Sequence, residues 1–178
     1  VTLEQARQQL RNEGMTYDDP YITNLIRTAQ NYIERTYGLA LLTQTIEQTN
    51  RAFPCALNEP LFLRIAPAIS ITSIKYIDTD GTEQTWDTEA YTIGNFNNRP
   101  FVTPKVGYTW PTGVTTQHPA PITIIYQAGF GKPVDILPIV KQAILMYLND
   151  LYENRGDPPR NMLTATDRLL ISLYPFYC

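Results

Sequence analysis

Every Ser-His or Cys-His scheme of nucleophilic catalysis needs an imidazole base, and this chain of 178 residues has one histidine. His118 stands in TTQHPAP, where nothing nearby in sequence supplies a partner, and it reads as a surface-loop residue. AGFGKP, residues 128–133, resembles a phosphate cradle until its spacing is tested. A P-loop has a glycine five residues before its Gly-Lys pair and Ser or Thr after it. Tyr126 and Pro133 hold those positions, so Gly129 and Gly131 read as a strand-to-helix turn. DTDGTE, residues 78–83, gathers the hard-cation ligands Asp78, Asp80 and Glu83, yet a calcium loop has its glycine sixth and Gly81 is fourth. Asp80-Gly81 is instead the strongest hairpin signal in the chain. Asp18-Asp19 and the pair Asp87 and Glu89 could serve as acid/base couples; a helix N-terminus and a polar turn explain them better. No catalytic residue, metal ligand or cofactor is expected.

One further stretch, YLNDLYENRGDPPRN at 147–161, drives an apolar helical pattern into Tyr152, Glu153 and Arg155. Arg155 suits the negative end of a helix dipole, Gly156 suits the left-handed position after it, and Pro158-Pro159 stop the helix. Glu153 and Arg155 are left as a pair that either crosses a subunit boundary or locks the final helix.

Elements to position these groups follow from periodicity. Thr2 and Gln5 have capping-box spacing ahead of a short helix through Leu3, Ala6 and Leu10 to Gly14. Asp19 as N-cap and Pro20 at the first helical position open a second helix ending near Tyr37, with Ile22, Leu25, Ile26, Ala29, Ile33 and Thr36 on its inner face. From Leu41 the character is β, with candidate strands at 42–49, 61–65, 71–77, 84–86, 91–93, 101–103 and 122–127 and the prolines between them. Pro138 opens the longest helix, whose apolar face is wide enough to imply contacts on two sides. Thr164 or Thr166 caps a last short one carrying Leu169, Leu170 and Leu173. The fold class is α+β: a small helical bundle, residues 1–40 and 137–178, with a β-rich insertion at 41–130 between helices two and three, all as a single domain.

Composition narrows function. The net charge is -3 and no basic stripe is present, which argues against sequence-specific DNA binding. Cys55 and Cys178 are far apart and form neither a disulfide framework nor a metal knuckle, so a reducing compartment fits. No apolar run reaches the roughly 18 residues that cross a bilayer, and no export signal is visible, so no membrane partner is expected. Hydrophobic residues make up 43% and charged ones only 17%, with 12 tyrosines and 2 tryptophans, a balance that suits surfaces covered by partners.

TLEQARQQLRNEG, DDPYITNLIRTAQNYIERTYGLAL, TQTIEQ, SITSIKYIDTDGTEQTW and PIVKQAILMYLNDLYENR, in that order, with DRLLISLYP to close, resemble the phage head-tail connector (adaptor) family, also found in gene transfer agents. The resemblance implies a virion protein of the neck, assembled in the bacterial cytoplasm. It implies a homo-oligomeric ring, a dodecamer, under the portal protein. That ring extends the DNA channel, lets DNA pass without specific binding, and presents a docking surface to the next neck, stopper or tail protein. A mild negative charge suits such a lumen. The family's C-terminal segment reaches the portal, which maps here onto 164–178 and its Leu169, Leu170, Leu173, Tyr174, Phe176 and Tyr177. Tyr152, Glu153, Arg155, Tyr108 and Trp110 are the candidates for contacts between subunits. One rival reading is a stopper or tail-completion protein. Another is a small enzyme or peptide-binding module in the β loops around Trp110, which a polar pocket gathering Asp87, Glu89 and His118 would favour.

Overall fold

The structure, a computed structural model, describes residues 1–11, 16–56, 59–154 and 165–171. It is α+β, with a β-rich region between its second and third helices, and the chain divides into a helical unit, residues 1–41 and 131–178, and a β unit, residues 42–130.

In the helical unit, α1 (Leu3–Gln9) begins at a full capping box: the Gln5 N–H donates to Thr2 Oγ1 at 3.2 Å and the Thr2 N–H to Gln5 Oε1 at 3.0 Å. Helix α2 (Asp19–Tyr37) departs from expectation at both ends. The N-cap position is Asp18, which makes no capping bond, and Asp19 is the first helical residue with Pro20 behind it. Its carboxylate is instead taken by Arg7 of α1, whose Nε donates to Oδ1 at 2.9 Å while Nη2 pairs with Oδ2. Tyr37, not Thr36, completes the buried face with Ile22, Leu25, Ile26, Ala29 and Ile33, because it lies one turn beyond Ile33. Gly38 then ends the helix at φ 59°, where a side chain would be strained.

Helix α3 (Pro138–Asn154) packs against α1, α2 and α4 (Ala165–Ile171). Its buried stripe is Val140, Ala143, Ile144 and Leu148, and Leu145, Met146, Tyr147 and Leu151 flank it half-buried. Thr166 lies inside α4 rather than capping it: it is buried with its hydroxyl 3.5 Å from the Ala143 carbonyl. Gly14, Thr164 and the helix stop at Arg155, Gly156 and Pro158-Pro159 lie outside the described residues.

The β unit holds two antiparallel sheets. The first has the order β1 (Gln44–Asn50), β7 (Ile122–Ala128), β3 (Ala68–Ile77), β4 (Glu83–Thr85); the second has β2 (Leu61–Phe62), β6 (Arg99–Pro104), β5 (Tyr91–Phe96). Strand β7 is central and alternates strictly, burying Ile122, Ile124, Tyr126 and Ala128. Two buried polar side chains tie the segment after β2 to the first sheet. The Gln48 amide accepts from the Arg64 N–H at 2.8 Å and donates to the Phe62 carbonyl at 3.1 Å, and the Tyr126 hydroxyl accepts from the Ile65 N–H at 3.0 Å. They complete backbone bonds that a two-residue strand leaves open.

Turn chemistry differs from the sequence expectation. Between β3 and β4, Gly81 has φ 82° but belongs to a five-residue connection, 78–82, closed by the Asp78 N–H on the Thr82 carbonyl at 2.9 Å. The tight primed turn is Asn97-Asn98, with φ 51° and 61°, joining β5 to β6. Pro100 and Pro104 lie within β6, not between strands. They face Asn95 and Tyr91. In a register closed by a hydrogen-bonded Phe96–Arg99 pair, those are the non-hydrogen-bonded positions, where a proline sacrifices no bond to β5.

Candidate functional site

The groups that could do chemistry stand apart and are each engaged locally. His118 is exposed and its Nδ1 accepts from the Ala120 N–H at 3.2 Å, so the ring serves its own loop. Asp87 caps a short 3-10 turn, Thr88–Ala90, by accepting from the Glu89 N–H at 2.9 Å, and Glu89 approaches Lys105 at 3.6 Å on the surface. Asp78 spends its carboxylate on the N–H groups of Asp80 and Thr82 and on the Gln84 amide, which holds its pKa below the usual carboxylate value, chiefly through Gln84. Glu83 turns to Lys75 at 2.7 Å. These acids therefore make a hairpin and not a cation cage, and among the described residues no His, Cys, Asp and Glu cluster could hold a metal.

Gly129, in the stretch that resembled a phosphate cradle, has a steric role. With φ 132°, a Cβ there would come within 2.7 Å of Thr43 N and closer to the Leu42 backbone, while its N–H donates to the Pro67 carbonyl at 2.8 Å. Gly131 serves a turn in which Asp135 Oδ2 accepts from the Lys132 N–H at 3.0 Å.

Sequence reasoning missed the polar centre of the helical unit. Asp167 of α4 is 8% exposed and accepts at Oδ1 from Tyr37 at 2.5 Å and from Tyr32 at 3.1 Å, both on α2. Tyr147 of α3 stacks on Tyr32 with ring centroids 4.1 Å apart. Burial first, then the Asp167 charge and its hydrogen bond, push the Tyr32 hydroxyl up to about 12, and Tyr147 shifts the same way through burial and then Asp167. Beside this cluster an open groove of about 500 Å³ is lined by Thr28, Asn31, Tyr32, Arg35, Thr36 and Tyr147. The signal available in sequence was one acid just ahead of the Leu169-Leu170 pair of the closing helix.

Of the expected contact residues, Tyr152 is half-buried, donates to Asp18 Oδ2 at 2.9 Å, and meets Tyr21 at 6.1 Å between ring centroids. Glu153 is exposed. Leu170 is buried and Leu169 half-buried in α4, whereas Arg155, Leu173, Tyr174, Phe176 and Tyr177 lie outside the described residues. Tyr108 is 48% exposed, but Trp110 is 5% exposed and belongs to an interior cluster with Phe53, Trp86 and Tyr91. Around Phe53 and Trp110 an open cavity of about 580 Å³ is lined also by Pro54, Cys55, Pro111 and Val114; Asp87, Glu89 and His118 are not part of its wall. The structure thus does not bring that triad together.

The architecture, an α+β chain whose antiparallel β unit interrupts a helical unit, defines a class that recurs in solved assemblies. Over 97% of this chain and 88% of the other, it is similar to a chain of the virion of a native gene transfer agent particle, with TM-score 0.74 and 22% identity. A chain from the neck of an empty gene transfer agent particle, computed with C6 symmetry, aligns over 99% and 88% with TM-score 0.71 and 21% identity. One from the neck of a native particle, computed with C12 symmetry, aligns over 98% and 86% with TM-score 0.69 and 22% identity. No protein-family model and no curated protein matches the sequence. At these identities the likeness is one of fold.

Proposed function

We propose that this chain is a structural protein of a virion neck, a head-tail connector of the adaptor type that forms a ring below a portal, continues the DNA channel and offers the next neck or tail protein a docking surface. The observation that carries the reading is the end-to-end match: 97% of the chain follows the fold of a chain in a gene transfer agent virion, both units included, and not one shared module. Two related matches come from necks, one of them computed with twelve-fold symmetry, which favours copies arranged about an axis. The role is one of assembly and not of catalysis.

In this reading α4 and the segment after it, with the half-buried Leu169, serve the portal side, Leu170 being buried within its own unit, and Tyr108, Tyr152 and Glu153 serve neighbouring subunits. A negative chain in the lumen would repel the phosphate backbone and let DNA slide. The test is capture of the purified chain by the portal protein from the same particle, with electron microscopy of the product. A ring seated on the portal is the expected outcome. A chain that ignores the portal and instead binds tail components is a stopper or tail-completion protein, and one that binds neither overturns the reading.

A further inference from the structure

Four strands of the β unit lie at sheet edges, and three carry a device that discourages pairing with another chain. Strand β2 has two residues, β4 has three and opens on Glu83, and β1 carries Glu47 at its middle. Strand β5 has none: Tyr91–Phe96 is six residues of continuous register, without charge, proline or bulge. The Asn97-Asn98 turn sets which of its backbone groups face outward. With Phe96–Arg99 closing the turn as a hydrogen-bonded pair, alternation assigns Gly94 and Thr92 to β6 and turns the N–H and C=O of Ile93 and Asn95 away from it. No described residue bonds to those outward groups. Exposed apolar side chains bracket the strand, Phe96 at the tip and Val106 and Tyr108 beyond the end of its partner β6.

We propose that β5 is an assembly edge, to which a second copy of this chain adds an extended segment that hydrogen-bonds to Ile93 and Asn95. A row of backbone donors and acceptors at every second residue is complemented by another strand and by little else. Two considerations favour a copy of the same chain as the occupant. Each protomer carries a net charge of -3, so copies meet at least cost where charge is absent, and β5 is the edge of more than two residues that lacks it. The ring reading given above, on which this inference rests, surrounds each protomer with copies of itself.

Asn95 is the place to test it, because its side chain is exposed and its N–H makes no bond within the hairpin. Asn95→Pro deletes one outward donor, and Asn95→Lys puts a charge on the edge while keeping that donor. In sedimentation at rising concentration the wild type is expected to gain mass while amide exchange at Ile93 and Asn95 slows about tenfold or more. Both variants are expected to stay at protomer mass with unchanged thermal unfolding. Self-association that survives both substitutions, with Ile93 and Asn95 still exchanging freely, overturns the edge pairing. A wild type that stays a protomer throughout overturns it too, while the neck reading falls only if portal capture also fails.

Discussion

Among the described residues, side-chain hydrogen bonds of 3.1 Å or less that span twelve or more positions end on carboxylates in the helical unit and on neutral groups in the β unit. Asp18 takes the Tyr152 hydroxyl, Asp19 takes Arg7, and Asp167 takes Tyr32 and Tyr37. Within the β unit the same task falls to the Gln48 amide and the Tyr126 hydroxyl. Helices bury one stripe and leave side chains to bridge between rods, where one acid can collect two hydroxyls from a neighbour. A sheet already carries its bonds in the backbone, and a side chain is needed only where a strand stops short. The helical unit should accordingly respond to proton activity and the β unit to shape.

Shape is attacked most directly at Gly129. Gly129→Ala combines positive-φ strain with a collision against the Leu42 backbone and should destabilise the β unit by about 4 kcal/mol, read by denaturant unfolding. On the other side, Asp167→Ala removes the acceptor that two tyrosine hydroxyls share and should cost about 3 kcal/mol. Amide exchange ought to place that loss in α2 and α4 and leave β7 protected; an equal loss in β7 would break the comparison. Gln48→Leu, a swap of similar size, should cost about 2 kcal/mol by orphaning the Phe62 carbonyl and the Arg64 N–H. Its effect should not vary between pH 6 and 8, since no group with an ordinary pKa near that range takes part.

Alkaline pH sharpens the contrast. The folded pKa of Tyr32, about 12, lies above the ordinary tyrosine value of 10.0, so its contribution is complete below pH 10 and lost as pH rises toward 12. Protection of α2 should fall across that window, and Tyr32→Phe should remove much of the step. Tyr91 in the β unit is shifted the same way by burial and then Asp87, so exchange resolved by unit, not a global melt, is the measurement. The smallest effect belongs to the exposed Lys75–Glu83 pair: Glu83→Gln should change stability by no more than ~0.5 kcal/mol.

Local rules made much of this readable from the sequence. The Thr2-Gln5 capping box, the course of α2 to Gly38, the wide face of α3 and the positions of all seven strands follow from spacings within a turn or a strand. What escaped depends on partners distant in sequence. Asp167 meets tyrosines more than a hundred residues away, Gln48 reaches across to 62–64, and the order β1-β7-β3-β4 leaves no periodic trace. Asp80-Gly81 was read as the tight turn because the motif is strong, but the Asp78 side chain draws the connection longer. Asn97-Asn98 adopts that geometry without a glycine, since Asn tolerates the left-handed region better than most residues. Trp110, a candidate for contact between subunits from its proline-rich setting, packs inside on Phe53 and Trp86, which no local pattern connects to it.

The register of β1 on β7 has a consequence for synthesis on the ribosome. Gln44, at the start of the β unit, is the cross-strand partner of Ala128 at its end, so the segment returns to its point of departure. A nascent chain can close this unit as soon as β7 emerges, whereas α1 and α2 must wait through its entire translation before α3 arrives to pack against them. The first helices to be made are thus among the last parts to be finished. For the same reason residues 42–130 form a cassette that could be lifted out and grown alone, its two ends already side by side.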